Sequence, residues 1–194
     1  VLNINVDKQG SNTNTLPDKL AVFNKINPSE AINRDNPRTF KFFMQRMEWT
    51  INGRTWETTG VTEEETVKLN TTEIWNLVNT GGGMMGDGGM MGNGGMMKGK
   101  GMMGGGMMQM PHPIHIHQVQ FNILERDPSE MDEDVWNSVK DGLIDDGWQD
   151  TVLLMPGMKI KIIMRFKNFK GLFLYHCHNL EHEDMGMMRN YKIE

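Results

Sequence analysis

Apolar and polar positions alternate along much of this chain with the two-residue period of half-buried strands. The opening Val1-Leu2-Asn3-Ile4-Asn5-Val6 shows that period and reads as a strand severed from its sheet, because the polar, Asn- and Pro-containing stretch 7–37 follows it. From Arg38 the strand signals become regular. Residues 39–44 are rich in Phe, Ile51-Asn52-Gly53-Arg54 offers a hairpin turn, and 66–69 and 73–78 read as short strands. Further strands are predicted over 114–124, 151–154, 159–166, 172–176 and 188–193, each bounded by turn or polar residues. Eight or nine strands suit an all-β Greek-key sandwich or barrel. Residues 132–142 form the one helical candidate, with Val135, Trp136 and Val139 at helical spacing behind acidic residues.

Between Gly81 and Met110 the pattern stops, and paired methionines recur at Met84/Met85, Met90/Met91, Met96/Met97, Met102/Met103 and Met107/Met108 in a glycine background. Glycine makes ordering costly and brings no side chain to bury, so 81–110 is expected to be a mobile loop inserted into the domain.

The 194 residues allow one domain of ordinary size plus an extension. A net charge of -5 without any Lys/Arg-dense stretch leaves no electrostatic footprint for nucleic acid. No run approaches the ~18 apolar residues of a membrane span. Val1 is neither a Met nor the start of an export signal, so the natural N-terminus is expected upstream.

The chemistry is concentrated in two segments. All six histidines lie in His112-Pro113-Ile114-His115-Ile116-His117 and His176-Cys177-His178-Asn179-Leu180-Glu181-His182, the second holding the single cysteine. One cysteine excludes an internal disulfide, and its histidine neighbours point to a metal thiolate. Two imidazoles, a thiolate and a weak axial thioether make a blue-copper site, a set this chain supplies as His112, Cys177, His182 and Met187. Side chains alternate along a strand, so Cys177 faces one way and His176 and His178 the other. His115 and His117 share a face as well, and four imidazoles can therefore converge on a second site that receives electrons through the Cys177 backbone.

These residues resemble the two C-terminal copper signatures of multicopper oxidases, HPxHxH and HCHxxxHxxxGM, and Trp148-Gln149-Asp150-Thr151-Val152 resembles a third landmark of that family. The resemblance implies a third cupredoxin domain over 38–194 with the Met/Gly-rich insertion at 81–110, a linker over 7–37, and the last strand of a preceding cupredoxin domain over 1–6. It implies that His115 is a type 2 copper ligand and that His117, His176 and His178 are type 3 ligands. The family completes its trinuclear cluster with two His-x-His pairs from an N-terminal cupredoxin domain, and no histidine is left here to provide them. The chain then reads as a fragment of a longer precursor, a subunit of a split enzyme, or a degenerate domain keeping only electron transfer. Glu181-His182-Glu183-Asp184 and the doubled Met187-Met188 resemble copper-efflux cuprous oxidases.

Thioether sulfur is a soft ligand suited to Cu(I). By the resemblance Met110 matches a ligand for substrate copper, while Met108 stands where an acidic ligand is expected, making both candidate substrate-copper residues. The competing reading of the insertion is a surface spacer or an oxidation-absorbing cover. Asp150 reads as a carboxylate orienting a ligand or capping a turn, Glu183 as a proton donor or a solvated charge, and Tyr175 and Trp148 as core. The expected activity is oxidation of Cu(I), or alternatively of phenols, Fe(II) or Mn(II), coupled to reduction of dioxygen to water. A copper-buffering or electron-transfer cupredoxin is the non-enzymatic alternative. The resemblance places such an oxidase in periplasm, cell envelope or medium.

Overall fold

A computed structural model describes residues 5, 7–8, 10–11, 14–18, 21–80 and 110–194. The strand expected over 1–6, apart from Asn5, and the Gly/Met segment up to Gln109, with Met108, lie outside the described residues.

Among the described residues ten strands form two five-stranded sheets, where the sequence suggests eight or nine. One sheet has the order β2 (Glu48–Ile51), β1 (Arg38–Gln45), β4 (Thr71–Asn79), β8 (Lys159–Phe166), β6 (Phe121–Asp127). The other runs β3 (Thr66–Val67), β10 (Met188–Ile193), β9 (Gly171–Cys177), β5 (His112–Ile116), β7 (Thr151–Leu154). Parallel pairing of β1 with β4 and of β3 with β10, among otherwise antiparallel neighbours, requires connections that cross between sheets. The expected all-β Greek-key sandwich of cupredoxin type is the result.

The core lies between the sheets. Phe40, Trp75, Phe166, Tyr175 and Tyr191 are fully buried and meet at ring-centroid distances of 4.6–6.4 Å. Each such side chain contributes on the order of 1.5–3 kcal/mol of apolar burial. At its margin Glu65 is held bidentately by Arg189, with Nε at 2.9 Å and a second nitrogen at 2.9 Å, and accepts from Tyr175 Oη at 2.8 Å. Burial opposes the Glu65 charge, but the hydrogen bonds from Arg189, Tyr175 and the Thr62 N–H prevail and lower its pKa.

Two differences from the sequence reading matter for the site. Residues 114–124 are two strands in different sheets, because the chain turns after His117 through Gln118, which is left-handed at φ 71°. Trp148 is 40% exposed, where a core position is expected. The helix α1 (Glu133–Val139) begins as anticipated, with Asp132 Oδ1 accepting from the N–H groups of Asp134 and Val135. Asn52 and Gly53, both at positive φ, make the expected two-residue turn, closed by paired Ile51 and Arg54 backbone bonds. Residues 26–31, inside the stretch read as a linker, place Ile26 and Ala31 against Ile74 and Ile163 on the outer face of the first sheet.

Candidate metal centre

Strand register builds the site. β5 and β9 are antiparallel with Ile114 opposite Cys177 and His115 opposite His176. Residues directly opposite share a face, and parity alternates along each strand. His112, Ile114 and Cys177 therefore face the interior, while His115, His117, His176 and His178 belong to the other face.

On the interior face three donor atoms form a compact triangle. Cys177 Sγ lies 3.5 Å from His112 Nδ1 and 3.4 Å from His182 Nδ1, and the two nitrogens are 3.1 Å apart. A point equidistant from the three is about 2 Å from each, the length of a metal–imidazole bond. His182 arrives on α2 (Leu180–Asp184), a short helix the sequence does not announce. Gly186, at φ 88°, then turns the chain so that Met187 N–H reaches His182 O at 2.8 Å and Met187 O accepts from Cys177 N–H at 3.0 Å. Met187 is fully buried.

Burial sets the protonation of the triangle. Desolvation and the neighbouring His182 push His112 down to about 3, and desolvation lowers His182 as well. Desolvation pushes the Cys177 thiol up to about 11. Two neutral imidazoles and a thiol within contact are a set made for one metal ion: the imidazoles offer lone pairs, and the thiol becomes a ligand on losing its proton.

The opposite face carries the other four imidazoles. His115 and His117 lie 4.8 Å apart by ring centroid, His115 and His178 5.4 Å, and His176 and His178 4.9 Å. His117 Nε2 and His176 Nε2 approach to 3.2 Å. His115 Nδ1 is 3.0 Å from Asp150 O, and His176 Nδ1 is 3.1 Å from Cys177 O. Carbonyl oxygens only accept, so each Nδ1 carries the proton and each Nε2 is left as a donor lone pair. Asp150 thus orients His115 through its backbone oxygen, its carboxylate lying 3.9 Å away. Glu183 Oε2 stands 3.6 Å from His176 Nδ1 and 3.9 Å from His178 Nδ1. Next to this face, Gln118 has a buried side-chain oxygen without a hydrogen-bond partner among the described residues.

Two supporting residues escape a sequence reading. Trp49 packs its indole on His182 at 4.1 Å and meets His112 at 5.2 Å. Asn179 donates from Nδ2 to Pro111 O at 2.9 Å and sits 3.4 Å from His182 Nδ1, tying the backbone just before His112 to the triangle. Its place directly after the His-Cys-His tripeptide is the one local signal. Met110 is 38% exposed, with its carbonyl held by Asn79 Nδ2 at 2.9 Å.

The sequence model of the multicopper oxidase family matches residues 31–194. This chain belongs to the multicopper oxidase family. It is 31% identical over 180 residues to a Staphylococcus aureus protein named multicopper oxidase mco, covering 91% of this chain and 32% of that protein. It is 32% identical over 139 residues to a laccase of Bacillus stratosphericus, covering 66% of this chain and 22% of the laccase. Among solved structures, the McoA multicopper oxidase of Aquifex aeolicus superimposes with a TM-score of 0.62 at 26% identity, over 93% of this chain and 33% of that one. The chain thus spans about a third or less of these relatives. Copper is the cofactor that membership implies, and the neutral, buried N/N/S triangle fits it.

Proposed function

We propose that this chain is the C-terminal cupredoxin part of an oxidase that takes one electron from each of four substrate equivalents and reduces dioxygen to water. Copper, when bound, supplies the one-electron chemistry in both pockets. His112, Cys177 and His182 would hold the type 1 ion, with the buried Met187 thioether as a fourth, weaker ligand. His115 would be the type 2 ligand, and His117, His176 and His178 would be type 3 ligands. The single observation that carries this reading is the parity of β9, which sends Cys177 Sγ to one pocket and the flanking imidazoles to the other. The hydrogen bond from His176 Nδ1 to Cys177 O joins the pockets by a path one residue long.

The remaining residues orient and protect. Asp150 O fixes the tautomer of His115, and Glu183, with Oε2 at 3.6 Å from His176 Nδ1 and 3.9 Å from His178 Nδ1, would serve as the proton donor on that face. A His-x-His-bearing cupredoxin domain, upstream in one precursor or in a separate subunit, completes the imidazole face. Dioxygen is the electron acceptor, and periplasm, cell envelope or medium is the setting. No helix among the described residues is long and apolar enough to cross a membrane. Residues 7–37 are proposed as the linker from that upstream domain to the domain 38–194, with Ile26 and Ala31 of its far end already packed against Ile74 and Ile163.

The favoured reducing substrate is Cu(I), on the strength of the methionine pairs and of Met108 and Met110 just before His112. Oxygen uptake by the copper-loaded full-length oxidase, compared across Cu(I), Fe(II), Mn(II) and a phenol, tests this. A preference for Cu(I) supports it, and equal or better turnover of a phenol points to a laccase instead. Oxygen reduction neither with nor without the upstream region supports the copper-buffering alternative.

A further inference from the structure

Among the aromatic residues of the core that the structure describes, Trp49 alone lies against both imidazoles of the triangle. It comes from β2, the edge strand of the opposite sheet, and its orientation follows from register: Met44 pairs with Trp49 and Phe42 with Ile51, so Trp49 shares the inward parity of Phe42 and Ile51. The indole covers the ring of His182 at 4.1 Å with a 34° tilt, and meets His112 at 5.2 Å in a near-perpendicular 74° arrangement. Phe42 reaches only His112, at 6.4 Å. Trp49 is 5% exposed, His182 3% and His112 1%, so the indole closes the triangle against water.

The chemical consequence follows from charge. Reduction lowers the charge of a bound copper ion by one, and a dry, weakly polar wall disfavours the more highly charged form. A flat ring packed on His182 also holds that imidazole in one orientation in both oxidation states. We propose that Trp49 is a positioning residue that raises the reduction potential of the Cys177 copper by excluding water from His182 and His112. The inference rests on the reading that this triangle holds redox-active copper.

The test is a redox titration of the copper-loaded full-length oxidase, followed by the thiolate-to-copper absorption band, for Trp49→Leu, Trp49→Phe and Phe166→Leu. Trp49→Leu keeps the band, since the ligands are intact, and lowers the Cu(I)/Cu(II) ratio at fixed potential by about tenfold, equivalent to about 59 mV for one electron. Trp49→Phe gives a smaller shift in the same direction, and it carries the test if Trp49→Leu does not fold. Phe166→Leu removes an equally buried ring that packs on Trp75 and Tyr191, away from the triangle, and leaves the ratio unchanged. An unchanged ratio in the Trp49 variants, or an equal shift in Phe166→Leu, overturns the inference while the triangle reading stands. Absence of the band in the unsubstituted protein overturns the triangle reading and this inference with it.

Discussion

His112 Nδ1 and His182 Nδ1 lie 3.1 Å apart in a buried gap where neither imidazole gains a proton at neutral pH. With His112 pushed down to about 3 and Cys177 up to about 11, the metal-free triangle enters neutral solution as two free bases and one protonated thiol. Copper uptake then releases about one proton, that of Cys177, and affinity rises by about tenfold per pH unit between pH 7 and the thiol's titration near 11. Titration calorimetry of the metal-free protein in two buffers of different ionisation enthalpy measures it. Release near zero contradicts the assignment of Cys177 as the ligand that deprotonates.

The two faces of β9 should be separable by mutation. Cys177→Ser is expected to abolish the intense visible band of the copper-loaded oxidase. His178→Ala should keep that band and reduce oxygen consumption by ~100-fold or more, beyond the usual loss on altering a supporting residue. Absorption spectroscopy and an oxygen electrode on the same samples distinguish the two patterns.

Asn179 holds Pro111 O while standing beside His182. Asn179→Ala is expected to weaken copper retention in the triangle by about 10–100-fold, the typical effect of losing a residue that orients a ligand. Competition with a chelator of known affinity reads this directly.

Glu65 and Arg189 form a buried pair, 4% and 1% exposed, and loss of the Glu65 charge leaves buried Arg189 with only the more distant, exposed Glu57 carboxylate at 3.5 Å. Glu65→Gln should cost about 3–5 kcal/mol in urea unfolding. The folded pKa of Glu65 lies below its ordinary 4.5, so its contribution is present above that value and fades as pH falls through the lowered one. The variant should therefore show a shallower loss of stability on acidification than the unsubstituted protein.

Local patterning made the strands readable: 151–154, 159–166 and 188–193 occur with those bounds. It failed at 114–124 because Ile114 and Ile116 fall on even positions while Val119, Phe121 and Ile123 fall on odd ones. That change of parity at Gln118 marks the passage from one sheet to the other. The donor residues were legible as a cluster because histidine and cysteine in alternation have few other uses. Their supports were not. Trp49 reaches His182 from the opposite sheet, and Glu65 meets Arg189 across 124 positions, contacts that only the folded topology creates. α2 is five residues long, too short for a periodicity to show.

One β-strand serving two metal pockets on its opposite faces is the arrangement on which the proposed chemistry depends. Anomalous diffraction at the copper edge from crystals of the copper-loaded full-length oxidase tests it most directly. One peak is expected within bonding distance of Cys177 Sγ, His112 Nδ1 and His182 Nδ1, and further peaks beyond β9 against His115, His117, His176 and His178. Copper on a single side of the strand, or none bonded to Cys177 Sγ, would contradict it.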